Sequence, residues 1–277
     1  MQLSVAIVIP IWKKELNEFE KISFLQCCSI LNNYKIILVS YQYLDLANYV
    51  YILDKKSVHY EIVYFKRFFF ESIDSYNKLL LSVRFYATFL RFKYILIYQL
   101  DCFVFRDELD AWVKKGYSYI GAPWLEGYDQ ATPEAPIIGV GNGGLSLRDV
   151  TSHLKVLLSF RYIEKSRLLM HMFFSSCHFF SSLLLLIKKL TICNNYFFLF
   201  NDWAGNEDIF WGQLASKEFS WFTVAEREKA AQFSIEVQPR KLVEMQNNRL
   251  PFGCHAWWRY DLNFWKPHIE KFGYHLT

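Results

Sequence analysis

The sequence predicts an α/β fold in which a mostly parallel sheet carries helices on both faces. In the first hundred residues, β-branched apolar runs alternate with stretches of helical spacing, which is typical of right-handed βαβ units. The apolar runs are continuous, as expected for strands that are buried on both faces. Three of them end in polar or kinked segments, and ligands bind at that end of such sheets.

Each element follows from a local pattern. Strands are predicted over VAIVIP (5–10), YKIILVS (34–40), YEIVYF (60–65) and YILIYQL (94–100). Helices are predicted over LNEFEKISFLQCCSIL (16–31) and SYNKLLLSVRFYATFLRF (75–92). After residue 105 the alternation breaks, and YSYIGAPW (117–124) and GVGNGGLSLRDV (139–150) are typical of short strands joined by glycine-rich turns. We therefore expect one domain over 1–277, with an N-terminal half (1–105) and a C-terminal half (106–277) that carries an apolar helical insertion near 160–200.

Composition narrows the functional class. The chain has 277 residues, of which 53% are hydrophobic and 19% aromatic, so it can build a large core and still line a pocket or a membrane-facing patch. The net charge of +4 is mild and no basic run is present, so nucleic acid is not an expected partner. Six cysteines show no zinc spacing and predict a reduced, cytosolic compartment.

Two segments bear on localisation. The N-terminus lacks the basic start and cleavage site of a signal peptide, so we expect the chain to begin with a strand. The stretch 168–200 is the most apolar, but histidines and lysines interrupt it, so no transmembrane helix is expected. Two interpretations of it stay open: a pair of buried or interfacial helices, or a peripheral membrane contact.

Asp101 is the first candidate site residue, because it interrupts the apolar run YILIYQLDCFVF (94–105). A charge in a dry core costs several kcal/mol unless it is paired, hydrogen-bonded or bound to metal. Asp101 falls where the fourth strand ends, so we expect it to face a ligand. The alternative is a structural role, in which it caps a turn or pairs with an arginine.

Five motifs then occur in order: VAIVIPIWK, QLD, GNGGLSLR, NEDIFW and PFGCHAWWRYD. In this series the sequence resembles GT-A glycosyltransferases, and in particular a bacterial family of glycosyltransferase-like proteins. The resemblance covers nearly the whole chain and is weakest across 160–200. It implies a GT-A (Rossmann-like) fold whose first half binds a nucleotide sugar and whose second, smaller region binds the acceptor.

The resemblance also implies a metal site. GT-A enzymes carry a D-x-D motif whose last aspartate binds a divalent metal that holds the donor diphosphate. Here the triplet is Gln99-Leu100-Asp101, so only the last carboxylate is retained. Asp101 and His255 are the implied ligands of Mn²⁺ or Mg²⁺, cations that take oxygen ligands readily. Gln99 leaves the need for metal open, and a packed core role is the alternative for His255.

For catalysis, the resemblance implies Asp208 as the general base, with Glu207 as the alternate. Both stand at a predicted helix start that Asn206 can cap. A nearby diphosphate would raise the pKa of such a carboxylate. The implied acceptor or sugar-binding residues are Asn142, Gly143, Gly144 and Trp211, with packing as the alternative for Trp211 and a tight hairpin for the glycines.

The implied nucleotide-sugar-binding residues follow the strands and lie in the helical pattern before Asp101. Trp12 or Tyr41 covers the base, Lys13 reaches a phosphate or is solvated, and Arg84 faces phosphate or pairs with Asp101. The full set is Pro10, Ile11, Trp12, Lys13, Ser40, Tyr41, Tyr76, Asn77, Arg84, Gln99, Leu100 and Asp101.

These features lead to one expected function. The protein moves a sugar from a nucleotide-sugar donor, a UDP-sugar as first choice, to a hydroxyl of a glycan or lipid-linked glycan, with inversion. The expected setting is bacterial surface polysaccharide or lipopolysaccharide synthesis, in the cytoplasm at the inner face of the membrane, with peripheral contact through 168–200. The alternative is a non-catalytic module of the same fold that binds a nucleotide sugar or a glycan.

Overall fold

The structure, a computed structural model, describes residues 3–159 and 194–276. Its central sheet has six strands in the order β3-β2-β1-β4-β9-β6. β9 is antiparallel to its neighbours β4 and β6, and the other strands run in one direction. The strands are β1 (Leu3–Pro10), β2 (Lys35–Tyr41), β3 (Tyr60–Phe65), β4 (Phe92–Tyr98), β6 (Tyr119–Ile120) and β9 (Leu145–Asp149).

Two small sheets flank the central one. The first has the order β10-β11-β5 and the second pairs β7 with β8. Their strands are β5 (Phe103–Val104), β7 (Ala122–Leu125), β8 (Ile137–Gly141), β10 (Ser234–Ile235) and β11 (Gly253–Cys254). Asp101 lies between β4 and β5, and His255 directly follows β11. Because β5 pairs with β11, this sheet brings the two implied metal ligands together.

Helices cover both faces of the central sheet. The α-helices are α1 (Glu18–Ile30), α2 (Ala47–Lys55), α3 (Ile73–Leu80), α4 (Val83–Thr88), α5 (Leu109–Lys114), α6 (Val150–Leu158), α7 (Asn195–Asp202), α8 (Glu207–Ile209), α9 (Ala215–Glu218), α10 (Arg227–Phe233), α11 (Pro239–Glu244) and α12 (Leu262–Glu270). Short 3₁₀ turns lie at Arg67–Phe70 and Tyr128–Gln130, and a π-helical turn (Phe210–Leu214) joins α8 to α9.

Alternate residues of β1 show why both faces are buried. Val5, Ile7 and Ile9 belong to a core that includes residues of α1 and α2, whereas Ala6 and Val8 belong to a core that includes α3, α4 and α6. The predicted fold class, an α/β domain with a mostly parallel sheet and helices on both faces, is confirmed. The division into two functional halves stays a prediction.

The single helix predicted over 75–92 is wrong, because the segment forms two short helices. Ser82 ends α3 and begins α4: its hydroxyl donates to the Leu79 carbonyl at 2.7 Å and accepts from the Phe85 amide at 3.1 Å. A serine that bonds to the backbone on both sides competes with helix continuation at that position. The chain therefore turns there, and α4 packs against α6.

Most of the apolar stretch 168–200, with Cys177 and Cys193, lies outside the described residues. The apolar prediction for 168–200 is described only from residue 194 onward, where α7 begins after an Asn194 cap. Within 3–159 and 194–276, no helix has the length and apolar character that a membrane crossing requires. In the same ranges Cys27, Cys28, Cys102 and Cys254 are buried free thiols, whereas Cys177 and Cys193 lie outside them.

Candidate active site

Asp101 lies in the turn between β4 and β5 and faces His255. Its Oδ1 atom is 3.1 Å from His255 Nε2, and the Asp101 side chain keeps 31% of its surface exposed. His255 Nδ1 lies 3.0 Å from Glu236 Oε1, so one imidazole stands between two carboxylates. Burial lowers the pKa of His255, but Asp101 and Glu236 outweigh it and hold that pKa well above its ordinary value.

The donor set fits a divalent metal. Asp101 Oδ1 is a buried oxygen that faces the imidazole of His255. Gln99 Oε1 lies 3.3 Å from His255 Nε2 and adds a neutral oxygen. Glu236 holds Nδ1, which is how carboxylates orient metal-binding histidines. Oxygen and imidazole ligands suit Mn²⁺ or Mg²⁺.

Cys102 lies within the same cluster, since one donor atom each from Asp101, Cys102 and His255 fall within 4.8 Å of one another. Its thiol donates to the Gly144 carbonyl at 3.2 Å, and burial raises its pKa well above the ordinary value. A protonated thiol is not a metal ligand. The structure therefore favours Asp101 and His255 as the metal-binding pair.

The loop Asn142-Gly143-Gly144 connects this pair to the second acidic site. A β-carbon on Gly144 would overlap His255 Nε2, and one on Gly143 would overlap Glu207 Oε1. Asn142 adopts a positive φ of 67°, and its Oδ1 accepts the Gly144 amide at 3.1 Å. The two glycines are thus needed because the side chains of His255 and Glu207 approach the backbone here.

Asp208 binds the same loop from the other side. Its Oδ2 accepts the amides of Asn142 at 3.0 Å and Gly143 at 3.2 Å. Its Oδ1 is buried and has no hydrogen-bond partner among residues 3–159 and 194–276. Burial, reinforced by the Glu207 charge, raises the pKa of Asp208 to about 7 against the lowering effect of the Gly143 amide. Asp208 can therefore gain or lose a proton near neutral pH.

Glu207 is held as a structural ion-pair partner, which removes it as the alternate base. Arg148 donates to both of its carboxylate oxygens, at 2.7 and 2.8 Å, and both side chains are buried. Arg148 also donates to the Tyr86 hydroxyl at 3.1 Å. A buried carboxylate that is held by a bidentate pair with a buried arginine is closed off from an acceptor hydroxyl.

Two further expectations around Asp208 are corrected. Trp211 is fully buried, its Nε1 donates to the Leu80 carbonyl at 3.3 Å, and its ring stacks on Phe222, so it packs in the core and cannot stack on a sugar. Asn206 stands at the helix start but makes no side-chain cap. Its Oδ1 instead accepts from Asn77 Nδ2 at 3.1 Å.

A cavity of about 360 Å³ opens beside Gln99 and gathers some of the expected nucleotide-binding residues. Trp12 and Tyr76 line it, and Trp12 is 42% exposed. The Tyr76 hydroxyl is buried without a hydrogen-bond partner in the described ranges. Asn77 lies behind, where its Oδ1 accepts the Glu207 amide at 3.2 Å. The other lining residues are Phe70, Glu71, Ser72 and Ile73.

Several expected nucleotide contacts have structural roles instead. Ser40 is fully buried and its hydroxyl donates to the Ile11 carbonyl at 3.0 Å. Ile11 and Leu100 have buried side chains in the core, and Pro10 is the buried last residue of β1. Lys13 forms an ion pair with Glu20 at 2.7 Å. These side chains point into the protein or to a protein partner, and a role of the two loops in nucleotide binding stays a prediction.

Tyr41 and Arg84 are brought together, but away from Asp101. Both line a second cavity beyond the ends of β2 and β3, and Arg84 lies over the Phe65 ring at 5.7 Å. No ion pair joins Arg84 to Asp101. Of the expected nucleotide residues, Trp12, Tyr76 and Gln99 thus line one cavity, and Tyr41 and Arg84 line another.

Sequence reasoning missed Glu236 and Arg148. Glu236 directly follows β10, so the strand-end rule that identified Asp101 also applies to it. Arg148 lies within the quoted NGGLSLR motif, but its partner Glu207 is 59 residues away and no local pattern reveals the pairing. Glu236 contacts His255 and Arg148 contacts Glu207, so each holds another residue of the candidate site in place.

Comparison with known protein families finds one that matches most of the chain. A family model described as "Protein of unknown function (DUF5672)" matches residues 59–255, a range that includes Asp101, Asp208 and His255. None of the curated proteins matches the chain.

Several solved structures are similar to the chain at low identity. A glycosyltransferase involved in the glycosylation of the major capsid of PBCV-1 has a TM-score of 0.45 and 8% identity, over 97% of this chain and 99% of that one. Mouse xyloside xylosyltransferase 1 has a TM-score of 0.46 and 12% identity, over 92% and 97%. The glycosyltransferase GlyE of Streptococcus pneumoniae has a TM-score of 0.47 and 11% identity, over 97% and 63%.

Proposed function

The chain belongs to the DUF5672 family, and we propose that it is a glycosyltransferase that moves a sugar from a nucleoside-diphosphate donor to a hydroxyl group. One observation carries the proposal: Asp208, with a pKa of about 7, shares the loop Asn142-Gly143-Gly144 with the Asp101–His255 pair. A proton acceptor and a cation-binding pair on one loop are what such a transfer needs.

The donor end of the site consists of Asp101 and His255. Asp101, His255 and Glu236 together carry two carboxylates around one imidazole, which leaves a net negative charge that suits a cation. When bound there, Mn²⁺ or Mg²⁺ offsets the charge that builds on the departing diphosphate. The adjoining cavity at Trp12 and Tyr76 is the proposed place for the nucleotide base.

The acceptor end of the site is Asp208. Two backbone amides occupy Oδ2, so Oδ1, a buried atom of a partly exposed residue, is the atom proposed to take the proton of the acceptor hydroxyl. The acceptor oxygen then bonds to the anomeric carbon, the bond from that carbon to the diphosphate oxygen breaks, and its electron pair leaves with the diphosphate. One displacement of this kind inverts the anomeric carbon. The two amides keep the carboxylate oriented throughout.

The finer assignments rest on the motif resemblance described above. We propose a UDP-sugar donor, a glycan or lipid-linked glycan acceptor, and a role in bacterial surface polysaccharide or lipopolysaccharide synthesis on the cytoplasmic side of the membrane. These assignments identify the donors and acceptors that should be tested first.

The test is release of UDP from a panel of UDP-sugars in the presence of Mn²⁺. We expect the native protein to release UDP and Asp101→Asn to be slower by about 100-fold, the scale seen when one group that stabilises developing charge is removed. The matched control is Asp54→Asn, which changes an exposed aspartate on α2 and should leave the rate unchanged. Equal rates in Asp101→Asn and the native protein would contradict the proposal.

A non-catalytic nucleotide-sugar-binding module is the second candidate. Gln99 favours it, because a neutral amide stands where GT-A enzymes carry a second carboxylate, and its Oε1 contacts His255. This candidate predicts that UDP-sugars raise the unfolding temperature of the native protein by mass action while no UDP is released with any acceptor.

A further inference from the structure

A cavity of about 530 Å³ lies at the outer edge of the central sheet, where β2 and β3 end. It carries three cationic side chains, Lys66, Arg67 and Arg84, and none of its lining residues is a carboxylate. The remaining lining residues are Tyr41, Gln42, Tyr43, Leu44, Tyr64 and Phe65. Like charges gathered in one concave surface raise the local concentration of anions.

Two aromatic rings hold the guanidinium groups. Arg67 lies over the Tyr41 ring at 5.6 Å and Arg84 lies over the Phe65 ring at 5.7 Å. A guanidinium is attracted to the face of a nearby aromatic ring, and in such a contact it keeps N–H groups that can donate to another ligand. Both arginines are therefore held with donors available for an oxyanion.

The cationic charge is only partly balanced by the protein. Arg67 Nε is 3.5 Å from Glu71 Oε1, and both of these side chains are more than half exposed. Within the described ranges, Lys66 and Arg84 have no carboxylate within ion-pair distance. The cavity keeps a positive charge that a ligand can neutralise.

This cavity is separate from the Asp101 site. The cavity beside Gln99 shares none of its lining residues, and the ring contact between Tyr41 and Phe70, at 5.6 Å, stands between the two. In the sheet order, β2 and β3 lie on the side of β1 away from β4, which carries Asp101. A ligand can therefore bind here without metal and without the Asp101–His255 pair.

We propose that the cavity formed by Lys66, Arg67 and Arg84 binds the phosphate group of a second ligand, a phosphate ester whose sugar or other ring lies against Tyr41 and Tyr64. A guanidinium can donate two parallel hydrogen bonds to two oxygens of one phosphate group. The aromatic side chains of Tyr41 and Tyr64 provide apolar surface for the face of a ring. The site goes beyond the proposed function, since it requires neither transfer chemistry nor a nucleotide sugar.

The test uses glucose 1-phosphate as the probe, with EDTA present so that metal-dependent binding at Asp101 is absent. Calorimetric titration is expected to show binding to the native protein and at least about tenfold weaker binding to Arg84→Gln and to Lys66→Gln, because each loses a charged hydrogen bond. Asp101→Asn and the exposed control Lys217→Gln should bind as the native protein does. Lys66 and Arg84 are exposed, so both variants should keep the native fold, and unchanged circular dichroism confirms this.

A second arm identifies the source of the phosphate. If the ester belongs to a lipid, phosphatidylinositol vesicles should bind the native protein, glucose 1-phosphate should compete, and both variants should lose the interaction. Phosphatidylcholine vesicles should not bind. The proposal is overturned if neither probe binds, if Arg84→Gln and Lys66→Gln bind as tightly as the native protein, or if Asp101→Asn alone abolishes binding.

Discussion

Replacing Asp208 with asparagine is expected to slow sugar transfer by about 10²–10⁴-fold, the contribution typical of a positioned general base. The amide keeps the shape of the side chain and can still accept the amides of Asn142 and Gly143 through its oxygen, so the loop should keep its position. It cannot take a proton from an acceptor hydroxyl at neutral pH. The measurement is the steady-state rate of transfer with saturating donor.

The pH dependence of the same rate is a sharper readout. Because burial and the Glu207 charge raise the Asp208 pKa to about 7, most of the base is protonated and inactive below that pH. The native rate should therefore rise with pH through about 7 and level off above it, and Asp208→Asn should lose this rise. Asp202→Asn, at the exposed end of α7, is the matched control. A native profile that is flat between pH 5 and 9 would remove Asp208 from the role of base.

Replacing Arg148 with methionine is expected to lower the free energy of unfolding by about 3–5 kcal/mol. The substitution leaves the Glu207 carboxylate buried without its partner, and breaking a buried pair from one side has a cost of this order. It also removes donors to Tyr86 and to Ser146, the latter bonded by Arg148 Nε at 2.9 Å. Urea denaturation measures the change.

The double variant Arg148→Met, Glu207→Leu provides the comparison. Removing both charges leaves no unpaired carboxylate, so this variant should regain part of the lost stability. Arg249→Met is the surface control. The Arg249 side chain is exposed and pairs with Glu108, so loss of this ion pair should change the free energy of unfolding little. If Arg148→Met and Arg249→Met have the same stability, the buried pair has no role in holding α8 against β9.

The general architecture was accessible from sequence because it depends on local pattern. β3 occupies the predicted residues 60–65, and β1, β2 and β4 begin or end within two residues of the prediction. Continuous apolar runs bounded by polar segments indicate parallel strands at these positions. β2 and β4 are buried as such runs predict, whereas β3 is the edge strand and is mostly half-buried. The break at Ser82 was not accessible in the same way, because serine inside a helical pattern is ambiguous until its hydrogen bonds are known.

The site was predictable only in part, for a similar reason. The strand-end rule predicted that Asp101 follows the fourth strand, and it lies in the turn after β4, where it faces His255. The glycines of NGGLSLR lie where side chains approach the backbone. The same rule was wrong for Ser40, whose hydroxyl turns inward to the Ile11 carbonyl. Choosing between Glu207 and Asp208 required Arg148, since neighbouring carboxylates at one helix start look alike until one of them is paired.

The role of Glu236 depends on a contact between residues that are distant in the sequence. The residue orients His255 through Nδ1 and helps to raise its pKa, but it lies 19 residues before His255 and in no quoted motif. A carboxylate that holds the far nitrogen of a histidine is recognisable only when both are seen together. The described fold brings them together through β10 and β11, which pair in parallel.

The most direct measurement is calorimetric titration of Mn²⁺ with UDP into the native protein and into variants of the Asp101–His255 pair. We predict metal-dependent UDP binding to the native protein, no detectable binding to His255→Ala, and about 10–100-fold weaker binding to Glu236→Gln, which keeps both ligands but loses the group that orients one of them. Binding of Mn²⁺ and UDP that is equally tight in the native protein and in His255→Ala would contradict the account.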